Sequence, residues 1–163
     1  MKKFKLTSEF IVDISGVKLF RIKALIEFGN VKAGDLGGYI EKEENLSHMG
    51  NAWVSGNAQV SGDARVFGDA RVFGNAQVSG DAQVFGDARV SGDKDYAYAH
   101  GFGSCNRTTT FFRLKDGDVG VRCGCFYGTL AQFRDKVCET HGETKKAQEY
   151  LMLADLMEIR FKN

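Results

Sequence analysis

The sequence predicts a mainly β protein built around a parallel β-helix, and three observations predict it. Residues 50–91 are seven uninterrupted copies of a six-residue unit, Gly-(Asn/Asp)-Ala-x-Val-(Ser/Phe). One site in each unit is always valine and one always alanine. The flanks break this period, with alternating apolar runs before it and strand, turn and helix patterns after it. A short fixed period with one obligatory apolar site is the pattern of stacked rungs.

The chain divides into three expected regions: a β-rich cap over 1–37, the repeats over 38–95, and a terminal module over 96–163. In the cap, Phe4-Lys-Leu, Phe10-Ile-Val-Asp-Ile and Val17-Lys-Leu-Phe-Arg-Ile-Lys-Ala-Leu are apolar or alternating, with Ser15-Gly16 between the last two. That is a hairpin or small meander. Gly34-Asp-Leu-Gly-Gly38 reads as a sharp bend into the repeats. Extending the six-residue period backwards puts Ile40 and Leu46 on the alanine sites and Lys42 and His48 on the valine sites, so degenerate capping units are expected there.

In the repeats, Val54, Val60, Val66, Val72, Val78, Val84 and Val90 point inward. The alanine two residues before each points the same way, because side chains alternate along a strand. The Gly-Asn and Gly-Asp pairs supply corners, since these residues tolerate positive φ. Three units make one coil of about eighteen residues. Units three apart therefore stack, which puts Trp53, Arg71 and Arg89 in one column beside Ser55, Phe73 and Ser91. Gln59 and Gln77 share a second face, and Arg65 and Gln83 a third, beside Phe67 and Phe85. A phenylalanine ladder on a surface marks a covered wall; the cover is either a partner or the chain's own terminal module.

After Gly92 the period fails. Thr108–Arg113 and Val119–Cys125 flank an Asp-Gly turn and predict a hairpin. Thr129 is an N-cap for a helix carrying Leu130, Phe133 and Val137 on one face and ending at His141-Gly142. A second helix runs from Lys145 to about Phe161. The module is expected to be ββαα.

Two groups of motifs carry a resemblance. Gly34-Asp-Leu-Gly-Gly-Tyr-Ile-Glu and Asn45-Leu-Ser-His, followed by Gly-Asn-Ala-x-Val units, resemble hexapeptide-repeat proteins of bacteriophages and prophages. Asn106-Arg-Thr-Thr-Thr-Phe-Phe-Arg113, Cys123-Gly-Cys-Phe-Tyr-Gly-Thr-Leu and Thr140-His-Gly142 resemble the C-terminal module often attached to them. The resemblance implies a left-handed coil and an oligomeric phage-type accessory protein. A homotrimer is expected, because a coil this short leaves faces and phenylalanine stacks to cover.

Composition excludes several classes. The net charge is +1, with acids and bases interspersed, so no dedicated DNA-binding surface is expected. No apolar run is long enough for a membrane helix. The lysine-rich start has no hydrophobic region of a secretory signal. Four cysteines in such a chain are expected as reduced thiols. The expected location is the cytoplasm of a bacterial host.

Two groups of residues are candidate ligand contacts. Asn106, Arg107, Thr108, Thr109, Thr110 and Arg113 form a dense donor run, with Cys123 and Cys125 expected on one strand face and His141 at the end of the next helix. Arginines and hydroxyls suit a phosphate or carboxylate. On the solenoid wall, Trp53, Arg71, Phe73 and Arg89 combine cations with aromatic rings and suit a base and its phosphates. Each group also has a plain reading, as β-prone surface sequence and as a subunit interface.

Cys105, Cys123, Cys125, Cys138 and His141 are soft ligand types, but Cys-x-Cys departs from the usual knuckle spacing, so neither metal nor cofactor is expected. His48, His100 and His141 are the histidines available to an acyltransferase, and none sits on a loop extruded from the repeats. The expected function is a non-enzymatic phage-type binding protein that captures a small anionic, nucleotide-like host ligand or a host protein, in a counter-defence role. The alternatives are a hexapeptide-family acyl- or acetyltransferase and a trimerisation scaffold.

Overall fold

The computed structural model describes residues 2–103 and 107–162. Strands β1 (Phe4–Val12) and β2 (Lys18–Ala24) form an antiparallel hairpin. The Asp13 carboxylate pins its turn by accepting from the Ser15 and Val17 amides and the Ser15 hydroxyl. Strand β2 pairs antiparallel with β3 (Leu36–Ile40), and β3 pairs in parallel with the first strand of the solenoid's second face. Gly37 and Gly38 are strand residues here rather than parts of a bend. A Cβ on Gly37 would stand 2.5 Å from the Val54 carbonyl oxygen, and one on Gly38 2.7 Å from that of Ala58. They are glycine because two backbones meet closely.

The repeats form seven two-residue strands: β4 (Trp53–Val54), β5 (Gln59–Val60), β6 (Arg65–Val66), β7 (Arg71–Val72), β8 (Gln77–Val78), β9 (Gln83–Val84) and β10 (Arg89–Val90). They pair in parallel as three ladders, β4-β7-β10, β5-β8 and β6-β9, each step being eighteen residues. This is the column arrangement that the period predicts. Every repeat valine and alanine is buried. The corner glycines from Gly50 to Gly86 hold φ between +63° and +71°, a region that costs other residues about 1–2 kcal/mol.

The entry to the solenoid differs from the backward extension of the period. Ile40 pairs with Val60 and Leu46 bridges to Val66, a step of twenty residues rather than eighteen. The slip seats Ile40 and Leu46 in line with the valines. Lys42 and His48 are thereby released from the core. Lys42 pairs with Asp63 at 2.8 Å, and His48 stacks on Phe4 with ring centroids 4.2 Å apart. The cause is desolvation: a buried unpaired cation costs far more than a two-residue irregularity.

Each face also needs donors for the carbonyls of its first rung. On the second face the backbone of β3 supplies them, through Tyr39 N–H to the Ala58 oxygen. On the third, the buried Asn45 amide donates to Gly62 and Ala64 oxygens. On the first, the Lys3 ammonium donates to the Ala52 oxygen at 2.7 Å and the Gly50 oxygen at 3.4 Å.

The exit is closed by a four-stranded antiparallel sheet in the order β11 (Tyr96–Phe102), β12 (Arg107–Arg113), β13 (Val119–Cys123), β14 (Phe126–Thr129). The sequence reading gave two of these strands. The sheet needs the others because an isolated hairpin is marginal in water. Phe112 enters the solenoid core, while its neighbour Phe111 enters a second core under the helices. Helices α1 (Leu130–His141) and α2 (Lys145–Arg160) cover the far side of the sheet. Thr129 and Gln132 form a capping box on α1, and Thr144 caps α2. No helix among the described residues is long and apolar enough to cross a membrane.

Candidate functional site

The described residues of the terminal module's donor run do not converge. Successive residues of β12 point to opposite faces of its sheet. Thr109 faces the helices and donates its hydroxyl to the Cys123 sulfur at 3.3 Å. Arg113 lies on the same face, donating to the Phe161 carbonyl at 3.1 Å and stacking over the Phe161 ring. Thr110 faces the solenoid, where its hydroxyl accepts from the Gln83 amide at 2.9 Å. Thr108 contacts His100 Nδ1 at 2.8 Å on that side. Thr109 and Thr110 are fully buried. These residues join the sheet to its two neighbours, and the three threonine hydroxyls are engaged in doing so. Asn106, Cys105 and the Arg107 side chain lie outside the described residues.

The two cysteines also part. Strand β13 ends at Cys123, and Gly124-Cys125 is the two-residue turn into β14, with Gly124 at φ +58°. Cys123 is buried and Cys125 exposed. His141 packs against the Tyr150 ring at 5.7 Å between centroids. Among the described residues, no three His, Cys, Asp or Glu side chains stand together as a metal site. The remaining histidines have structural contacts: His48 accepts from the Lys3 amide and meets Glu43 at 2.9 Å, and His100 is held by Thr108.

The first face of the solenoid does bring its residues together. Trp53, Arg71 and Arg89 pair in register on successive rungs, about 4.8 Å apart. Trp53 is not a free stacking surface. It is buried, edge-on to Phe28 at 5.3 Å between centroids. The loop that carries Phe28 covers it, because an exposed indole beside an open edge is unfavourable. Phe73, two residues after Arg71, remains 38% exposed.

Arg89 donates to the Asp69 and Ala88 carbonyl oxygens. Arg71 has no carboxylate within ion-pair distance among the described residues. Its guanidinium runs under Gly29, where a Cβ would stand 2.7 Å from an Nη atom. Burial and the neighbouring charge of Arg89 hold Arg71 below its ordinary value, against the pull of Asp69.

Lys3 belongs to this group, and the sequence reading missed it. Its ammonium lies 4.5 Å over the Phe28 ring. Burial pushes it down to about 8, and the Arg71 charge pushes in the same direction, with Asp69 opposing. Lys3 and Arg71 thus share the Asp69 charge, and Arg89 adds a third cation that reaches the Asp69 residue only at its backbone carbonyl. Nothing in the period pointed to Lys3, because a lysine three residues into the chain reads as a solvated terminus.

Residues 58–72, 64–80 and 82–93 match the family model described as YdcK Beta solenoid repeat. No curated protein matches the chain. The match lies within the repeats and leaves the cap and the terminal module outside it. The middle of the chain is therefore a β-solenoid whose repeat is similar to that of the YdcK family.

Proposed function

We propose that this is a non-enzymatic binding protein that captures a small, multiply charged anion of the nucleotide class on the first face of its solenoid. One observation carries the reading: Arg71 stands between Arg89 on the next rung and Lys3, with Asp69 as the carboxylate that acts on Arg71 and Lys3. Like charges so placed destabilise a fold and gain from a bound anion. Guanidinium groups bind phosphate bidentately. Phe73 offers the exposed ring on which a base stacks beside them.

The finer features of the proposal rest on the resemblance of the repeat and its flanks, on the faces that a short coil leaves to cover, and on composition. They are a left-handed coil, a homotrimer, a phage origin, residence in the cytoplasm of a bacterial host, and a counter-defence role. A host protein is the second candidate ligand, reached through the same charged wall.

Native mass spectrometry of protein purified from bacteria tests the reading. The expected result is an oligomer carrying a few hundred extra daltons per site, lost on denaturation and absent from Arg71→Gln/Arg89→Gln. An oligomer without added mass that also stays unchanged in melting temperature with millimolar ATP would remove the nucleotide reading.

A further inference from the structure

A second pair of arginines, one on the third face of the solenoid and one on the terminal sheet, stands without an ion-paired acid among the described residues. Phe67 and Phe85 stack on successive rungs with centroids 4.5 Å apart. The terminal sheet lays Arg122 over them and sets the Tyr127 ring edge-on to Phe85 at 4.9 Å between centroids. Residues Val119, Val121 and Cys123 of β13 belong to the core under the helices, so Arg122 points the other way, toward the solenoid. Its guanidinium lies 4.6 Å from the centre of the Phe85 ring and 5.3 Å from that of Phe67. Arg65 approaches the same Phe67 ring at 5.6 Å.

Two guanidinium groups thus share one aromatic floor. Neither has a carboxylate within ion-pair distance among the described residues. The Nε atom of Arg122 is buried without a hydrogen-bond partner. A guanidinium stacked on rings keeps its face occupied and presents its N–H edge outward, which is the edge that grips an oxyanion.

Arg65 also lines a cleft of about 740 Å³ at the entry end of this face. That volume is in the range of small-molecule sites. Two of the carboxylates there are taken: Asp63 pairs with Lys42, and Glu43 with Lys2 and His48. Glu44 stands exposed at the rim. The basic group left over in the cleft is Arg65, and Arg122 reaches toward it from across the shared Phe67 ring.

We infer that Arg65 and Arg122 form an anion site for an organic phosphate monoester, its phosphate held between the two guanidinium groups and its organic body in the adjoining cleft. Two uncompensated cations favour a group carrying close to two negative charges at neutral pH, as a phosphate monoester does. The cleft favours a substituted phosphate over the bare ion. This site is separate from the first face, which uses other columns of the repeat.

Isothermal titration of the full chain with phenyl phosphate, phenol and inorganic phosphate tests it. The expected result is saturable binding of phenyl phosphate, competition by inorganic phosphate, and no binding of phenol. Arg122→Lys keeps the stacked charge but loses the bidentate edge, and weakens phenyl phosphate at least tenfold. Arg65→Gln, on an exposed position, does the same and carries the test if Arg122→Lys fails to fold. Arg71→Gln/Arg89→Gln leaves this binding unchanged. No saturable heat at millimolar phenyl phosphate, or binding that survives both third-face variants, overturns the assignment.

Discussion

The first and second faces of the solenoid share one scaffold and differ in what they show to solvent. Both are ladders of Gly-x-Ala-x-Val units with the same eighteen-residue step and the same buried valines and alanines. On the second face the outward column is Gln59 and Gln77; on the first it is Arg71 and Arg89, beside a Trp53 that the Phe28 loop covers. The second face is thus an internal control. Neutral amides satisfy the fold at these positions, so the charges of the first face are not required by it. Their presence, with two of the three cations held below their ordinary values, points to a purpose outside folding.

The comparison breaks first if the two scaffolds are unequal. Val72→Ala on the first face and Val78→Ala on the second should each cost about 2–3 kcal/mol. Urea unfolding checks this, and a gap of more than about 1 kcal/mol between them would end the control argument.

Lys3→Met comes next. It removes the donor to the Gly50 and Ala52 carbonyls and should cost about 1–3 kcal/mol, the range for leaving buried acceptors unpaired. Its pH signature is more specific. The Lys3 ammonium titrates near 8 in the fold instead of its ordinary 10.5. Between those values the unfolded chain holds a proton that the folded chain has lost, so stability rises with pH across that window. The penalty of charging Lys3 is fully present below it. Melting temperatures of the parent should therefore gain on those of Lys3→Met from pH 8 upward, and parallel curves would remove Lys3 from the cluster.

Gly29→Ala is a smaller change, of about 1 kcal/mol, since φ is +52° and the new Cβ meets the Arg71 guanidinium. Smallest is Arg71→Gln, which copies the second face. Its melting temperature should stay level or rise, because a desolvated charge beside Arg89 disappears. A clear fall would mean that Arg71 serves the fold.

The parts of the molecule set by the repeat were legible, and the reason is geometric. A fixed step ties Trp53 to Arg71 and Phe67 to Phe85 whatever the rest of the chain does. The slip before Gly50 was not legible from the period, because a period cannot announce its own interruption. Its signal was physical: Lys42 and His48 fell on seats that only an apolar side chain can occupy, while Ile40 and Leu46 stood two residues earlier. The same kind of test would have separated Thr109 from Thr110, since neighbours on a strand cannot face one ligand. Arg122 was illegible, because its partners Phe67 and Phe85 lie in another region and only the folded sheet brings it over them.

The most direct measurement is a calorimetric titration of ATP into the parent, into Arg71→Gln/Arg89→Gln, and into Gln59→Ala/Gln77→Ala at matched salt. The account predicts saturable binding by the parent, at least a hundredfold loss in the arginine variant with no loss of melting temperature, and unchanged binding in the glutamine variant. Equal binding by all three proteins, or none by the parent, would contradict it.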